Sequence, residues 1–220
     1  MENSSINVFV SGLGKARLVT QEFYSRHTLE VARDLLGKLL VTTRVNPKKS
    51  GTPSEVEQTV GRIVETEAYR ADDPASHSAR GETPRCSIMF GEPGWAYVYL
   101  IYGLYPMLNF VTEPKGHPGA VLIRALEPLQ GQSWMLKRRQ GSKDFTRGPG
   151  KLAQAMGISL AHQGKSLCGP EIFVLDDGFS VPQVVCTPRI GITQGLDRLW
   201  RFTIADHPWV SGSRQKARQK

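Results

Sequence analysis

Glu65, Glu67 and Tyr69 recur at every second position of Gly61-Arg-Ile-Val-Glu-Thr-Glu-Ala-Tyr69. A β-strand repeats its side-chain direction every two residues, so all three would share one face. Burying a glutamate is costly unless a partner compensates it. The spacing fits two arrangements: a solvated polar face, or a carboxylate beside an aromatic wall, as a hydrolase of a planar substrate requires. Four of the chain's six tyrosines fall in Tyr97-Val-Tyr-Leu-Ile-Tyr-Gly-Leu-Tyr105. Tyr97 and Tyr99 are in phase, whereas Tyr102 is out of phase with both unless the turn at Gly103 redirects it. Such a cluster is either a ring-lined sheet surface or a grip for an unstacked nucleobase.

Other residues stand out by context. His77 shares a long loop region with Arg80 and Arg85, where it is either a surface residue or part of a site. Asn109 and Arg124 are polar residues in apolar strands, so each needs a definite partner if buried. In Arg147-Gly-Pro-Gly-Lys151, glycines precede a helix whose first amides favour an anion, and Lys151 adds charge. The spacing is not that of a nucleotide-binding P-loop. It suits a backbone phosphate or a plain helix start. The five histidines lack metal-ligand spacing, so no metal is expected; no cofactor is expected either.

The elements that must position these residues form an α+β pattern: one mixed domain with a central curved antiparallel β-sheet flanked by helices. Residues 1–18 read as an irregular lead-in, 19–210 as the domain, and 211–220 as a basic, disordered tail. A helix is expected over Thr28–Leu36, stopped by Gly37, and strands over Lys38–Thr43 and Val60–Glu67. A turn rich in Lys, Ser, Gly and Pro covers 46–53, and a long loop region covers 70–94. Further strands are expected over Tyr97–Tyr102, Ala120–Ala125, Glu171–Leu175, Arg189–Ile192 and Trp200–Ile204. Met107–Val111 either continues the tyrosine strand or pairs back on it. Helices fit Gln132–Arg139 and Lys151–Met156.

Composition narrows the class. Lys plus Arg is 28 against 20 for Asp plus Glu among 220 residues, a surplus of +8 that favours a polyanionic partner. Three scattered cysteines without a Cys-x-x-Cys pair indicate a reducing compartment, with neither a zinc knuckle nor a disulfide framework. The N-terminus lacks the pattern of a signal peptide, and no apolar run reaches membrane-span length. A soluble protein of the bacterial cytoplasm, or of the nucleus in a eukaryote, is the expectation.

Taken together, Gly61–Tyr69, His77-Ser78, Tyr97–Tyr105, Asn109, Leu122-Ile-Arg-Ala-Leu-Glu-Pro128, Gly148-Pro-Gly-Lys-Leu152 and Arg189-Ile-Gly191 resemble the alkyladenine (3-methyladenine) DNA glycosylase family. The likeness runs from about Thr28 to Pro208-Trp-Val210. The resemblance implies that Glu67 activates water, positioned with the help of Arg124 and the main chain of Ile190. It implies that Tyr69, His77 and Tyr99 sandwich a flipped base, and that Asn109 disfavours the guanine amino group. Tyr102 matches the residue that wedges into the duplex. Leu104, beside it, stands where some members carry methionine. Arg147 and Lys151 are the candidate phosphate contacts.

The implied partner is double-stranded DNA containing damaged purines: 3-methyladenine, 7-methylguanine, hypoxanthine or ethenoadenine. The resemblance implies a monomer and a monofunctional glycosylase, since no lysine for a Schiff base falls in Gly61–Tyr69, His77-Ser78, Tyr97–Tyr105 or Leu122–Pro128. N-alkylated purines carry positive charge, which makes them good leaving groups and gives them a cation–π attraction to Tyr69 and Tyr99. Two other classes remain in view. A non-catalytic nucleic-acid binder has no use for Glu67 and Arg124. A hydrolase of small nucleosides leaves the basic surplus and Tyr102 unexplained.

Overall fold

The computed structural model describes residues 7–9, 15–46 and 55–212. Ten strands among them form one antiparallel sheet. They are β1 (Asn7–Phe9), β2 (Lys15–Leu18), β3 (Leu39–Asn46), β4 (Glu55–Arg70), β5 (Ala96–Ile101), β6 (Tyr105–Thr112), β7 (Gly119–Gln130), β8 (Ile172–Asp176), β9 (Val184–Thr187) and β10 (Arg201–Ile204). Four helices accompany them: α1 (Gln21–Tyr24), α2 (Thr28–Asp34), α3 (Gln132–Arg138) and α4 (Pro149–Ala155). The strand order is β1-β2-β8-β3-β4-β7-β6-β5, with β10 pairing both β4 and β9. This is the expected α+β class.

β4 is the backbone of the sheet. Its 16 residues exceed the usual strand length. β7 runs along one side of it from Val60 to Arg70. The other side is shared: β3 pairs Glu55–Arg62, and β10 then pairs Glu65–Glu67. Glu65 and Glu67 therefore lie in a stretch with strands on both sides. Two irregularities interrupt the β4–β7 ladder here. Ile63 faces Leu126 and Glu65 faces Ala125, leaving Val64 as an extra residue; Thr66 then faces Ile123, leaving Arg124 extra. Extra residues of this kind bend the strand and re-aim side chains, and they gather next to active sites.

The helices pack on this sheet, α2 against β4 and β7, and α4 against β6 and β7. The main core is built from Leu35, Leu40, Ile63, Phe110, Ile123 and Leu126, all fully buried, with many smaller neighbours. Each such side chain stabilises the fold by about 1.5–3 kcal/mol through its removal from water.

β5 and β6 form a hairpin joined by Tyr102-Gly-Leu104, with Ile101 opposite Tyr105. Met107–Val111 thus pairs back. Tyr102 and Gly103 both have positive φ, 53° and 69°, the twist a tight three-residue connection demands.

Several boundaries differ from the sequence reading. Among the described residues of 1–18, Asn7–Phe9 and Lys15–Leu18 are strands; Ala16 is buried, and Lys15–Leu18 pairs with Asn7–Phe9 and, through Arg17 and Leu18, with β8. α2 ends at Asp34, and Gly37, at φ 83°, turns the chain into β3. Arg189–Ile192 is not a strand, because the Ile190 N–H goes to a side chain rather than to a neighbouring strand. Ser211 is buried and bonded to Glu65, so the folded chain continues past 210. The turn at 46–53, apart from Asn46, and the tail from 213 lie outside the described residues.

Candidate active site

Glu67 is fully buried, and three donors meet its carboxylate. The Ile190 amide donates to Oε1 at 2.7 Å. Arg124 Nη1 donates to Oε2 at 3.2 Å, and the Tyr69 hydroxyl to the same oxygen at 2.8 Å. Tyr69 remains a donor because burial first, and the adjacent Glu67 charge second, push its phenol well above the ordinary tyrosine range. Ile190 reaches Glu67 from a chain segment 123 residues away.

Arg124 is the extra residue of β7 opposite Glu65 and Thr66, and its guanidinium is shared. Nε donates to Glu65 Oε1 at 3.1 Å while Nη1 serves Glu67. Burial works against this charge, but Glu67 and Glu65 outweigh it and hold the guanidinium above its ordinary value. Glu65 is also fully buried, and it accepts from Arg201 Nε at 2.6 Å, the Ser211 amide at 2.6 Å and the Ser211 hydroxyl at 2.9 Å. Buried charges of this kind persist only when paired and hydrogen-bonded.

Above this floor lies a pocket of about 280 Å³, lined among others by Tyr69, His77, Tyr99, Asn109, Arg124 and Ile190. Tyr69, Arg124 and Ile190 thus both hold Glu67 and face the cavity. The His77 ring packs edge-on to Tyr99, with centroids 4.7 Å apart, and its Nδ1 is 2.7 Å from the Tyr97 hydroxyl. His77 is solvent-exposed on one side; partial burial of its ring, and then the charge of Arg85, hold it below the ordinary imidazole value. Asn109 is buried, its Nδ2 donating to the carbonyls of Tyr97 and Met107 at 3.2 and 3.3 Å. Its amide is therefore fixed against the hairpin backbone.

The remaining candidates lie elsewhere. Tyr102 and Leu104 stand at the β5–β6 hairpin tip, 85% and 73% exposed, beside Ile101, which does line the pocket. Arg147 and Lys151 are joined through Asp144, at 3.0 and 2.7 Å. A phosphate at this point has to compete with that carboxylate. Ile190 also borders a neighbouring cleft lined by Arg147, Arg201 and Ser211.

The structure adds residues that sequence reasoning left without a role. Asp73 and Arg189 form an ion pair with both side chains wholly buried, Arg189 Nη2 donating to Oδ1 at 2.8 Å. Arg189 also donates to the Ala68 carbonyl at 2.9 Å and lies 4.7 Å over the Tyr69 ring. It therefore ties the loop carrying His77 to the segment carrying Ile190. Arg189 was visible in the Arg189-Ile-Gly191 motif, but nothing local marks Asp73 as its partner. Among the described residues, no group of three or more His, Cys, Asp and Glu is placed to hold a metal ion. No helix among them is long and apolar enough to cross a membrane.

Residues 22–208 match the model of the methylpurine-DNA glycosylase family. A protein of Prosthecochloris aestuarii named "Putative 3-methyladenine DNA glycosylase" is 46% identical over 198 residues, covering 88% of this chain and 90% of that protein. One of the same name from Methanocella arvoryzae is 46% identical over 201 residues, covering 88% and 96%. Another, from Chlorobaculum tepidum, is 44% identical over 196 residues, covering 86% and 88%.

Proposed function

We propose, because this chain belongs to the methylpurine-DNA glycosylase family and is a hydrolase of the N-glycosidic bond in DNA, that Glu67 activates the attacking water. The substrates in this reading are alkylated or deaminated purines in duplex DNA: 3-methyladenine, 7-methylguanine, hypoxanthine and ethenoadenine. The observation that carries it is the convergence of Tyr69, Arg124 and Ile190 on a buried carboxylate, directly beneath the pocket those same residues line.

A base stacked in a duplex hides its glycosidic bond, so it must first be extruded, at a cost of about a few kcal/mol. Tyr102 enters the vacated space and offsets lost stacking, which an aromatic ring supplies at about 1–3 kcal/mol. The flipped base lies between Tyr69 on one side and His77 and Tyr99 on the other, with Asn109 disfavouring a guanine amino group. Water drawn between Arg124, Ile190 and Tyr69 meets Glu67. As the C1′–N bond breaks, its electron pair leaves with the base, which neutralises a cationic N-alkylated purine, while a neutral purine takes up a proton from solvent; water oxygen bonds to C1′, and a water proton passes to the carboxylate. Arg124 and the Ile190 amide keep Glu67 aimed throughout. An abasic site remains, with no covalent enzyme intermediate.

In this reading the enzyme works as a monomer in the bacterial cytoplasm, or in the nucleus of a eukaryote, and Arg147 and Lys151 meet the DNA backbone. The deciding experiment is Glu67→Gln with a single-lesion duplex. Lesion binding is retained while base release in single turnover falls by at least about a hundredfold, the scale of general-base catalysis. Release at the wild-type rate removes Glu67 from this role.

A further inference from the structure

We propose that Arg85 is a specificity-determining residue of the pocket, whose charge disfavours positively charged lesions relative to neutral ones. This inference rests on reading the pocket as the seat of the flipped base.

Both rings that flank the base already face a guanidinium. Arg189 Cζ lies 4.7 Å from the Tyr69 centroid, and Arg85 Cζ lies 5.3 Å from that of Tyr99. A ring polarised by one cation has less attraction left for a second, and the two cations repel each other. The cation–π preference for charged purines that two tyrosine walls imply is thereby weakened.

The arginines near the pocket differ in how their charge is balanced. Arg189 is buried against Asp73 and does not line the cavity. Arg124 lines it but is balanced by Glu65 and Glu67. Arg85 lines it too, and among the described residues no carboxylate forms an ion pair with it. The lining itself contains no Asp or Glu. Arg85 is therefore the charge a bound base meets without compensation. Its reach is visible at His77, which it helps hold below the ordinary imidazole value after burial. A neutral purine avoids the repulsion, and its ring nitrogens and any carbonyl oxygen can accept from the guanidinium N–H groups.

The test compares wild type, Arg85→Gln and Arg85→Glu in single-turnover release from two duplexes of identical sequence. One carries 7-methylguanine, which is cationic, and the other hypoxanthine, which is neutral. The release-rate ratio of 7-methylguanine to hypoxanthine rises by about three- to tenfold in Arg85→Gln, the scale of one partly solvated unit charge a few ångströms away. It rises further in Arg85→Glu. An unchanged ratio overturns the inference. So does equal slowing on both duplexes with a shallower salt dependence, which marks Arg85 as a phosphate contact. If wild type releases neither base, the reading of the pocket falls, and this inference falls with it.

Discussion

Glu65 and Glu67 share one guanidinium: Arg124 reaches the first through Nε at 3.1 Å and the second through Nη1 at 3.2 Å. The two carboxylates are otherwise unlike. Arg201 and Ser211 close around Glu65, away from the pocket lining. The other donors to Glu67, Tyr69 and Ile190, face the pocket. Glu65 anchors Arg124, and Arg124 in turn aims Glu67.

Glu65→Gln is therefore expected to act at two levels. It leaves buried arginines short of a counter-charge, so denaturant unfolding should show a loss of about 3–5 kcal/mol. It also frees Arg124 to shift, so base release by the folded variant should fall by about tenfold or more, as misplaced catalytic groups do. Wild-type stability in the variant contradicts the anchoring role.

Asp73→Asn breaks the other buried pair. The expected cost is again about 3–5 kcal/mol, because Arg189 is left buried without its counter-charge. Since the pair holds the loop between β4 and β5, limited proteolysis should cut residues 71–86 faster than in wild type, before global unfolding. Unchanged cleavage of that loop says the clamp lies elsewhere.

Some of this was legible in the chain and some was not. The two-residue phase of Glu65, Glu67 and Tyr69 placed them together, and Gly103 marked the turn that carries Tyr102 away from Tyr97 and Tyr99. Those are local signals. Asp73 meets Arg189 across 116 residues and Ser211 meets Glu65 across 146, and no period in a sequence records such contacts. Arg189–Ile192 reads as a strand because its residues suit one. The segment instead gives its Ile190 amide to Glu67, a tertiary demand that overrides propensity.

Tyr102→Ala should leave stability within about 0.5 kcal/mol of wild type, since the side chain is exposed at the hairpin tip. Release of a lesion from a fully paired duplex should slow more than release of the same lesion from a single strand. Equal slowing on both substrates rules out a wedge.

The pH dependence of stability should carry a mark from His77. Folded, burial and Arg85 hold the ring below its ordinary value. Unfolded, it takes up its proton as the pH falls through about 6.5. Between those values the unfolded chain binds more protons, so stability falls with falling pH. The contribution is whole above the unfolded value and is lost as the pH falls through the folded one. Urea midpoints should therefore drop more for wild type than for His77→Gln from about pH 7 to about pH 5. Parallel slopes contradict this.

The two irregularities that flank Glu65 in the β4–β7 ladder have a further consequence. From Ile63 to Thr66 the chain advances three residues, and from Leu126 back to Ile123 its partner does the same. The insertion on one strand cancels the insertion on the other, and the ladder resumes in step. Deleting Val64 alone, or Arg124 alone, would slide everything beyond it by one position and turn inward residues outward. Deleting both would restore the alignment and erase the site. The chain can therefore accommodate its reactive floor only as a paired insertion, one residue per strand, which leaves the remainder of the sheet unaware of it.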